Sequence, residues 1–519
     1  MFDYRGTGVV YKMIPKPTLQ DIKTIGYYSG RLIVGYGLLM IIPIAVSFLM
    51  NEYNEGINFF ISFLCCMIIG YILLLICPVS TDLSWIEGMV IASVSWILTM
   101  FLGAIPLFMS GHFVSYTDAC FDAMSGLATV GLSLIQDLDH TSYTVNMWRF
   151  TMTFIGGQGM ILVALTLLIR TSGVYGMYVG EGREDRILPN IVQTARIIWA
   201  ISLGYFCLGT LVLWFAYVNI GLPKLEAFWH SMWLYISSWA TCGFAPQSMS
   251  LLYYHSLTIE IITAVVIILG VINFSIHYAL FTGNRKEIYK NIEIISFISI
   301  FLIVFFIIIN GLVQQQVYSN FTTFFRKALY LVISALGTAG HSTIYSQQFL
   351  TDWGPLAMIG LIIAMGIGGN SGSTSGAIKS LRIGILFKGM LQDIKSLSLP
   401  KSAVVKEKFH HIKDIVLEDK IVRSTMFIIF CFLFSYGLGT FVGVICDYPL
   451  LDALFDSVSA GSGTGLSCGI VSPQMPFLLK ITYIFEMWAG RLEFMSIFAL
   501  ISFVISTTQL WSSKKRVIR

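Results

Sequence analysis

Charge is what this sequence has least of. Only 12% of its 519 residues are Asp, Glu, Lys or Arg, against about a quarter in soluble domains. With 56% of residues hydrophobic, the chain has too little polar surface to stay dissolved, which excludes a soluble globular protein and places it in a bilayer. Metal-ligand patterns are lacking too. Nine cysteines are scattered with no CxxC pair, the eight histidines are dispersed, and no HExxH occurs. A membrane-embedded enzyme, which needs convergent acid–base or metal groups, therefore has no candidate centre. Cys65 and Cys66 sit mid-span as small apolar packing residues. No small-residue cleavage site follows the first apolar run, so it is not read as a cleaved signal peptide.

Long apolar runs are plentiful. Segments long enough to cross the hydrocarbon core, about 20 residues each, lie at roughly 28–50, 57–77, 88–110, 145–170, 197–220, 257–281, 292–312, 353–377, 424–446 and 477–507. Lysine and arginine sort these ten spans by side. The segments 1–31, 170–196, 282–293, 379–423 and 514–519 carry 26 of the 32 basic residues. Acidic residues such as Glu52, Asp118, Asp122, Glu226, Asp452 and Asp456 favour the opposite side. A multi-pass protein of the cell membrane with both termini cytoplasmic satisfies this distribution. The net charge of +4 is thus a topology signal and gives no argument for nucleic-acid binding.

Four apolar stretches are too short to cross: 116–127, 225–240, 322–336 and 450–462. Runs of this length read as re-entrant segments, and each lies on the outer side between an odd and an even span. Each ends in a similar phrase: SGLATVGLS from Ser125, SSWATCGFA from Ser237, SALGTAGHS from Ser334 and SAGSGTGLS from Ser459. A serine stands six residues before a glycine every time, pairing Ser125 with Gly131, Ser237 with Gly243, Ser334 with Gly340 and Ser459 with Gly465. Thr129, Thr241, Thr338 or Gly463 stands two before that glycine. The chain is therefore an internal fourfold repeat of span, half-helix, glycine loop and span.

Non-helical backbone at membrane depth survives only where protein buries it or water lines it. Four such loops entering from one side can meet around an axis. Glycine permits positive φ, so carbonyl oxygens can turn inward and replace a cation's hydration shell. Half-helices running inward direct their negative carbonyl ends to the same place. Both effects favour a cation. A single loop is equally readable as a glycine end to a buried half-helix, and the fourfold recurrence is what argues for a pore. A carrier with a midplane site predicts inverted pairs of broken helices, whereas these loops all enter from one face.

Several motifs together resemble the TrkH/KtrB/HKT superfamily of potassium and sodium transporters over nearly the whole chain. TVGL at 129–132 resembles the potassium-channel filter. FIGGQGMI at 154–161, NFSIHY at 273–278, GGNSGSTSGAIKSLR at 368–382 and GRLEF at 490–494 are similar to the family's four pore-lining inner helices. ILPNIVQTARIIW at 187–199 resembles the opening of its second repeat, and two spans ahead of the repeats match the TrkH arrangement. The resemblance implies an all-α polytopic fold with four helix–pore loop–helix units around one central pore. The corresponding division is 1–80 for the N-terminal segment and two extra helices, then repeats at 81–186, 187–290, 291–420 and 421–519. It also implies a homodimer with one pore per protomer, set in membrane lipid, and a cytoplasmic TrkA/KtrA-like nucleotide-binding regulatory subunit.

With the repeat, the resemblance places the filter at Thr129, Val130 and Gly131; Thr241, Cys242 and Gly243; Thr338, Ala339 and Gly340; and Gly463, Thr464 and Gly465, with K+ as the transported ion at these residues and no cofactor. Members with glycine in all four loops tend to prefer potassium, whereas serine in the first loop accompanies sodium preference in plant relatives. All four are glycine here. His341 departs from the pattern, standing where the other copies have Leu132, Phe244 and Leu466. It is read as packing or hydrogen-bonding at the outer mouth, with a pH-sensitive role as the alternative.

The stretch Gly366–Gly376 sets Gly366, Gly368, Gly369, Gly372 and Gly376 among Ser371, Ser373, Thr374 and Ser375 within an apolar span. Such composition marks a broken membrane helix lining an ion path, and the resemblance makes this region an intramembrane gate below the filter, with Lys379 and Arg491 among its residues. Close packing through small residues is the alternative. GSTSGAIKS approaches a phosphate-binding loop, but two residues separate Gly376 from Lys379 and no strand precedes it. Arg491 is read as the sole basic residue deep within a span. By resemblance it faces the pore beneath the filter and raises a barrier to cations; an ion pair with Glu486 or Asp456 is the alternative. Asp122 and Asp456 are read as hydrogen-bonding anchors for the half-helices, with Arg149 as a possible partner of the set.

Overall fold

Helix starts follow local chemistry in the computed structural model, which describes residues 17–78, 83–159, 174–181, 191–400 and 406–517. Thr18 and Asp21 form a capping box at the head of α1 (Leu19–Leu39), and Ser84 with Glu87 does the same for α4 (Trp85–Met109). α2 (Ile41–Leu49) continues α1 after a hinge at Met40, and α3 (Tyr53–Ile76) packs back against both. The four short stretches are helices at almost the expected bounds. They are α5 (Tyr116–Leu127), α9 (Lys224–Ala240), α14 (Phe321–Leu336) and α19 (Leu450–Ser462).

Between them run α6 (Tyr143–Gln158), α7 (Val174–Gly180), α8 (Ile191–Asn219), α10 (Leu257–Val271), α11 (Phe274–Phe281), α12 (Glu287–Lys290) and α13 (Ile292–Gln315). After α14 come α15 (Gln348–Thr351), α16 (Gly354–Ile367) and α17 (Ser380–Leu397). A hairpin of β1 (Lys408–His411) and β2 (Lys413–Val416) leads into α18 (Asp419–Ile445). α20 (Phe477–Arg491) and α21 (Met495–Val517) close the chain.

Among the described residues six helices are long and apolar enough to cross a bilayer, and up to eight if each bent pair is one span. The structure is that of an all-α polytopic membrane protein. Three of the ten expected spans are not straight helices. The run 257–281 bends by 96° between α10 and α11, where Asn273 caps the second piece, and 477–507 bends by 109° between α20 and α21. The run 353–377 is helical only to Ile367, because Gly368 takes φ +72° and ends it. Hydropathy cannot see such breaks, since both halves remain apolar. The inner half of 145–170, the start of 187–199 and the first 16 residues lie outside the described residues.

Candidate ion pathway

The four half-helices end in one repeated backbone device. Thr129, Thr241, Thr338 and Gly463 are all left-handed, with φ of 55°, 51°, 52° and 79°. In each copy the next N–H returns to the helix: Val130 to the Ser125 carbonyl at 2.8 Å, Cys242 to Ser237 at 2.9 Å, Ala339 to Ser334 at 2.8 Å and Thr464 to Ser459 at 2.9 Å. This is a Schellman-type closure. Three β-branched threonines at positive φ are strained, and strain repeated at equivalent positions is found where function over-determines the backbone.

The recurring serine now has a physical role. Ser125 and Ser459 accept the N–H of Gly131 and Gly465 at 3.0 and 2.9 Å. Ser334 donates instead to the His341 carbonyl at 2.7 Å, and the Ser237 hydroxyl lies 2.6 Å from the carbonyls of Cys242 and Phe244. The hydroxyl staples each glycine loop to its own half-helix, by accepting in copies one and four and by donating in copies two and three.

The loops converge. A methyl built on Gly131 would lie 2.2 Å from the Cα of Gly243, one on Gly340 2.0 Å from the Thr464 oxygen, and one on Gly465 2.0 Å from the Val130 oxygen. The Gly243 N–H donates to the Val130 carbonyl at 2.9 Å. All four glycines line the floor of one outward cavity of about 540 Å³. The carbonyl ends of the half-helices abut the same point, directing partial negative charge toward it.

Buried charges hold the segments leading away. Asp122 accepts from Ser133 at 2.5 Å and from Arg149 Nε at 3.0 Å, while the Arg149 guanidinium stacks 4.0 Å from the Phe244 ring. Asp456 accepts from Ser467 at 2.7 Å and from the N–H of Cys468 at 2.9 Å. Between repeats, Asp118 takes Lys480 at 2.6 Å, and Glu260 takes Arg326 through two bonds of 2.6 and 2.7 Å. Arg149 is fully buried near the start of α6, and its pairing with Asp122 is the partnership the sequence reading had named for that aspartate. His341 is also fully buried, with Nε2 3.2 Å from the Ser238 hydroxyl. It packs against the second half-helix rather than lying exposed.

Against the ends of the half-helices lies the loop between α16 and α17. Thr374 Oγ1 donates toward the carbonyls of Trp239 and Gly270, both at 2.9 Å, and Thr241 Oγ1 approaches it at 3.4 Å. Thr338 Oγ1 meets Ser375 Oγ at 2.9 Å and accepts the Gly376 N–H at 3.0 Å. A methyl on Gly376 would fall 2.1 Å from the Ser462 oxygen. The loop thus touches the ends of the second, third and fourth half-helices. Arg491 ties it to α6 of the first repeat, donating to the Thr374 carbonyl at 2.9 Å and to the Gly156 carbonyl. These bonds replace the pairing with Glu486 or Asp456, since Glu486 accepts from Ser457 instead. Glu493, on the next turn of chain, pairs with Arg382.

The loop is closed on itself. Lys379 donates its N–H to Ile367 at 2.8 Å, Gly369 donates to Ser375 Oγ at 2.9 Å, and the Ser373 hydroxyl donates to the Asn370 carbonyl at 2.6 Å. Gly366 accepts the Ile378 N–H at 3.3 Å, and Lys379 Nζ donates to the Ser375 carbonyl. On its far side Gly372 accepts the Phe274 N–H at 3.2 Å, while Ser371 donates its N–H to the buried Glu293 at 2.8 Å. Glu293 also takes Asn273 at 3.3 Å and faces His411 of the hairpin at 3.8 Å. Glu293 was not singled out by the sequence, although its partners Ser371 and Asn273 lie in motifs that were. A lone glutamate at the head of an apolar span was the available signal.

A second set of glycines also escaped the repeat. Methyls on Gly156, Gly270 and Gly490 would fall 1.8, 2.4 and 2.0 Å from the carbonyl oxygens of Leu127, Trp239 and Gly461. In three repeats an inner-helix glycine thus lets the end of a half-helix rest against it. Gly156 and Gly490 lie inside the motifs FIGGQGMI and GRLEF, so the signal was present but unassigned.

Comparison with known proteins bears on this geometry. The sequence model of the TrkH family, described as a cation transport protein, matches residues 55–299 and 345–513. The third half-helix and Thr338–Gly340 fall between those segments, yet they repeat the same backbone. The chain is 31% identical over 487 residues to an uncharacterized cation transporter of Methanocaldococcus jannaschii, covering 93% of this chain and 96% of that one. It is 28% identical over 500 residues to the Trk system potassium uptake protein TrkH of Salmonella typhimurium, covering 93% and 98%. The crystal structure of the potassium transporter TrkH from Vibrio parahaemolyticus has the same fold, with a TM-score of 0.79 at 24% identity, over 92% of this chain and 98% of that one.

Proposed function

We propose, for a chain that belongs to the TrkH family of cation transport proteins, that it is the potassium-conducting subunit of a Trk-type uptake system. One observation carries the reading: four loops with the same left-handed residue and the same closure meet with their glycines at the floor of a single cavity. Glycine at all four positions leaves the axis free of side chains, so only carbonyl oxygens are available to a dehydrated cation. The relatives named as potassium uptake proteins support potassium as that cation.

In this reading Thr129–Gly131, Thr241–Gly243, Thr338–Gly340 and Gly463–Gly465 hold K+, and the loop from Gly366 to Lys379 is the gate. Its bonds to Thr241 and Thr338 from below support a closed state. Arg491 adds a positive charge on the same path, which opposes cation flow by Coulomb repulsion. Both termini are cytoplasmic, the protein is a homodimer, and a separate TrkA/KtrA-like nucleotide-binding subunit works the gate from the cytoplasmic side.

The deciding experiment is uptake of radioactive rubidium into proteoliposomes holding the purified chain, competed by potassium, sodium and lithium. Strong block by potassium with little by sodium supports the assignment, and equal block by sodium refutes potassium selectivity. Arg491→Gln is expected to raise uptake without changing the order of competition. Slower uptake in that variant contradicts the barrier role.

A further inference from the structure

Phe244 and His341 each directly follow the glycine of their loop, and each reaches the half-helix of the preceding copy. A methyl on Gly126 would fall 3.1 Å from Phe244 Cε2, and His341 Nε2 lies 3.2 Å from the Ser238 hydroxyl. Gly126 and Ser238 occupy the same place, directly after the staple serines Ser125 and Ser237. The same offset pairs Leu466 with Ala335 and Leu132 with Ala460, and these four are buried in one apolar cluster. The pairs match in kind. A phenyl ring goes with the residue that has no side chain, the leucines go with alanines, and the histidine goes with the hydroxyl. One polar pair therefore stands in an otherwise apolar set of four.

His341 is also held through its backbone. Its carbonyl accepts from Ser334 at 2.7 Å, as that of Phe244 accepts from Ser237 at 2.6 Å. In the two copies with leucine after the glycine, the serine accepts the glycine N–H instead. The residue after the glycine thus goes with the direction of the staple. For packing alone leucine would serve, as it does in two copies. His341 is fully buried and its Nδ1 has no hydrogen-bond partner among the described residues, so histidine is the costlier occupant. Such a polar pair supplies register, because apolar surfaces slide past one another where a directed bond does not.

We propose that His341 is a positioning residue: through Nε2 and Ser238 it sets the third glycine loop against the second half-helix, and this contact holds the discrimination of potassium from sodium. The selectivity clause rests on the conduit reading above; the positioning does not. A ring of carbonyls kept apart at the spacing of the larger potassium ion fits sodium poorly. His341 directly follows Gly340, so releasing it from Ser238 frees the Thr338–Gly340 carbonyls to close on the smaller ion.

The test is a double-mutant cycle, read as the ratio of the sodium to the potassium concentration that halves rubidium uptake into proteoliposomes. His341→Leu and Ser238→Ala should each lower that ratio about fivefold, the net contribution of one hydrogen bond. The double variant should lower it no further than either alone, because both changes remove the same contact. Glutamine places a polar atom where Nε2 stands and asparagine where Nδ1 stands, so His341→Gln should keep the ratio and His341→Asn should lower it. Thermal unfolding in detergent checks that each variant is folded. A histidine that only packs predicts the reverse pattern, an unfolding temperature that moves and a ratio that does not. An unchanged ratio in folded His341→Leu, additive losses in the double variant, or a His341→Asn that matches His341→Gln overturns the selectivity role. Hydrogen exchange across 338–343 reads the positioning without transport: it should speed up in His341→Leu and His341→Asn but not in His341→Gln, and unchanged exchange overturns it. A native chain that takes up no rubidium, or that sodium blocks as well as potassium, refutes the selectivity clause together with the reading it rests on. Faster exchange in His341→Leu would then leave the positioning standing.

Discussion

Gly490→Ala isolates the link between inner helix and filter. The added methyl would sit 2.0 Å from the Gly461 oxygen, 3.0 Å from its carbonyl carbon and 3.6 Å from its Cα. Non-bonded carbon does not approach that oxygen closer than about 3 Å, so the half-helix end or α20 must shift by about 1 Å. Backbone strain is not the cause, because Gly490 is absent from the positive-φ residues, and alanine is the better helix former by about 0.8–1 kcal/mol. Overpacking costs about 1–3 kcal/mol. The gain offsets the cost only at its low end and leaves overall stability lower by up to about 2 kcal/mol, and the two terms act in different places. The propensity gain is spread along α20, whereas the clash falls on Gly461, two residues before the left-handed Gly463. A strain of about 1–3 kcal/mol bearing on the filter changes a rate it controls by about 5- to 150-fold. Rubidium uptake into proteoliposomes should therefore fall by such a factor while the unfolding temperature in detergent moves little. Gly437→Ala on α18, where a methyl meets nothing within 4 Å, is the matched control and should be neutral. Uptake and competition in Gly490→Ala indistinguishable from that control would refute the argument.

Asp122→Ala leaves the buried Arg149 guanidinium without its carboxylate and should cost about 3–5 kcal/mol, read as a drop in thermal unfolding temperature. Replacing both with apolar residues, Asp122→Leu with Arg149→Met, should recover part of that loss. Glu293→Ala frees the Ser371 N–H and Asn273; hydrogen exchange across 369–376 should accelerate, while exchange in α9 stays as it was. The hairpin carries a pH dependence through His410, whose imidazolium is held above its ordinary value first by Asp414 and then by Glu287. A raised value means that the contact contributes fully below about pH 6.5 and is lost as pH rises through the higher, folded value. Amide exchange over 408–416, corrected for its intrinsic rate, should speed up from about pH 6 to about pH 8 in the native chain. His410→Gln should flatten that change.

Much of the architecture was legible because it is one-dimensional. Apolar length marks a span, and a serine–glycine spacing repeated four times marks four equivalent turns. The half-helix bounds followed from the same local rules, with Ser115 and Asn320 capping α5 and α14. The staple made by Ser125, Ser237, Ser334 and Ser459 is a contact over six or seven residues, so its spacing survives in the sequence.

What the sequence by itself determined was the count of loops, their glycine positions and the residue types available to a cation. Tertiary structure alone decided which groups meet. Lys480 finds Asp118 across 362 residues, and Arg491 reaches Gly156 across 335. Such pairings depend on how helices pack around an axis, and hydropathy is silent on packing because every face of these helices is apolar. The same reason hid the bends at Asn273 and at Leu492–Phe494. A break costs nothing in apolar composition, yet it turns the chain beside the four glycine loops and gives the segment from Gly366 to Lys379 its partners.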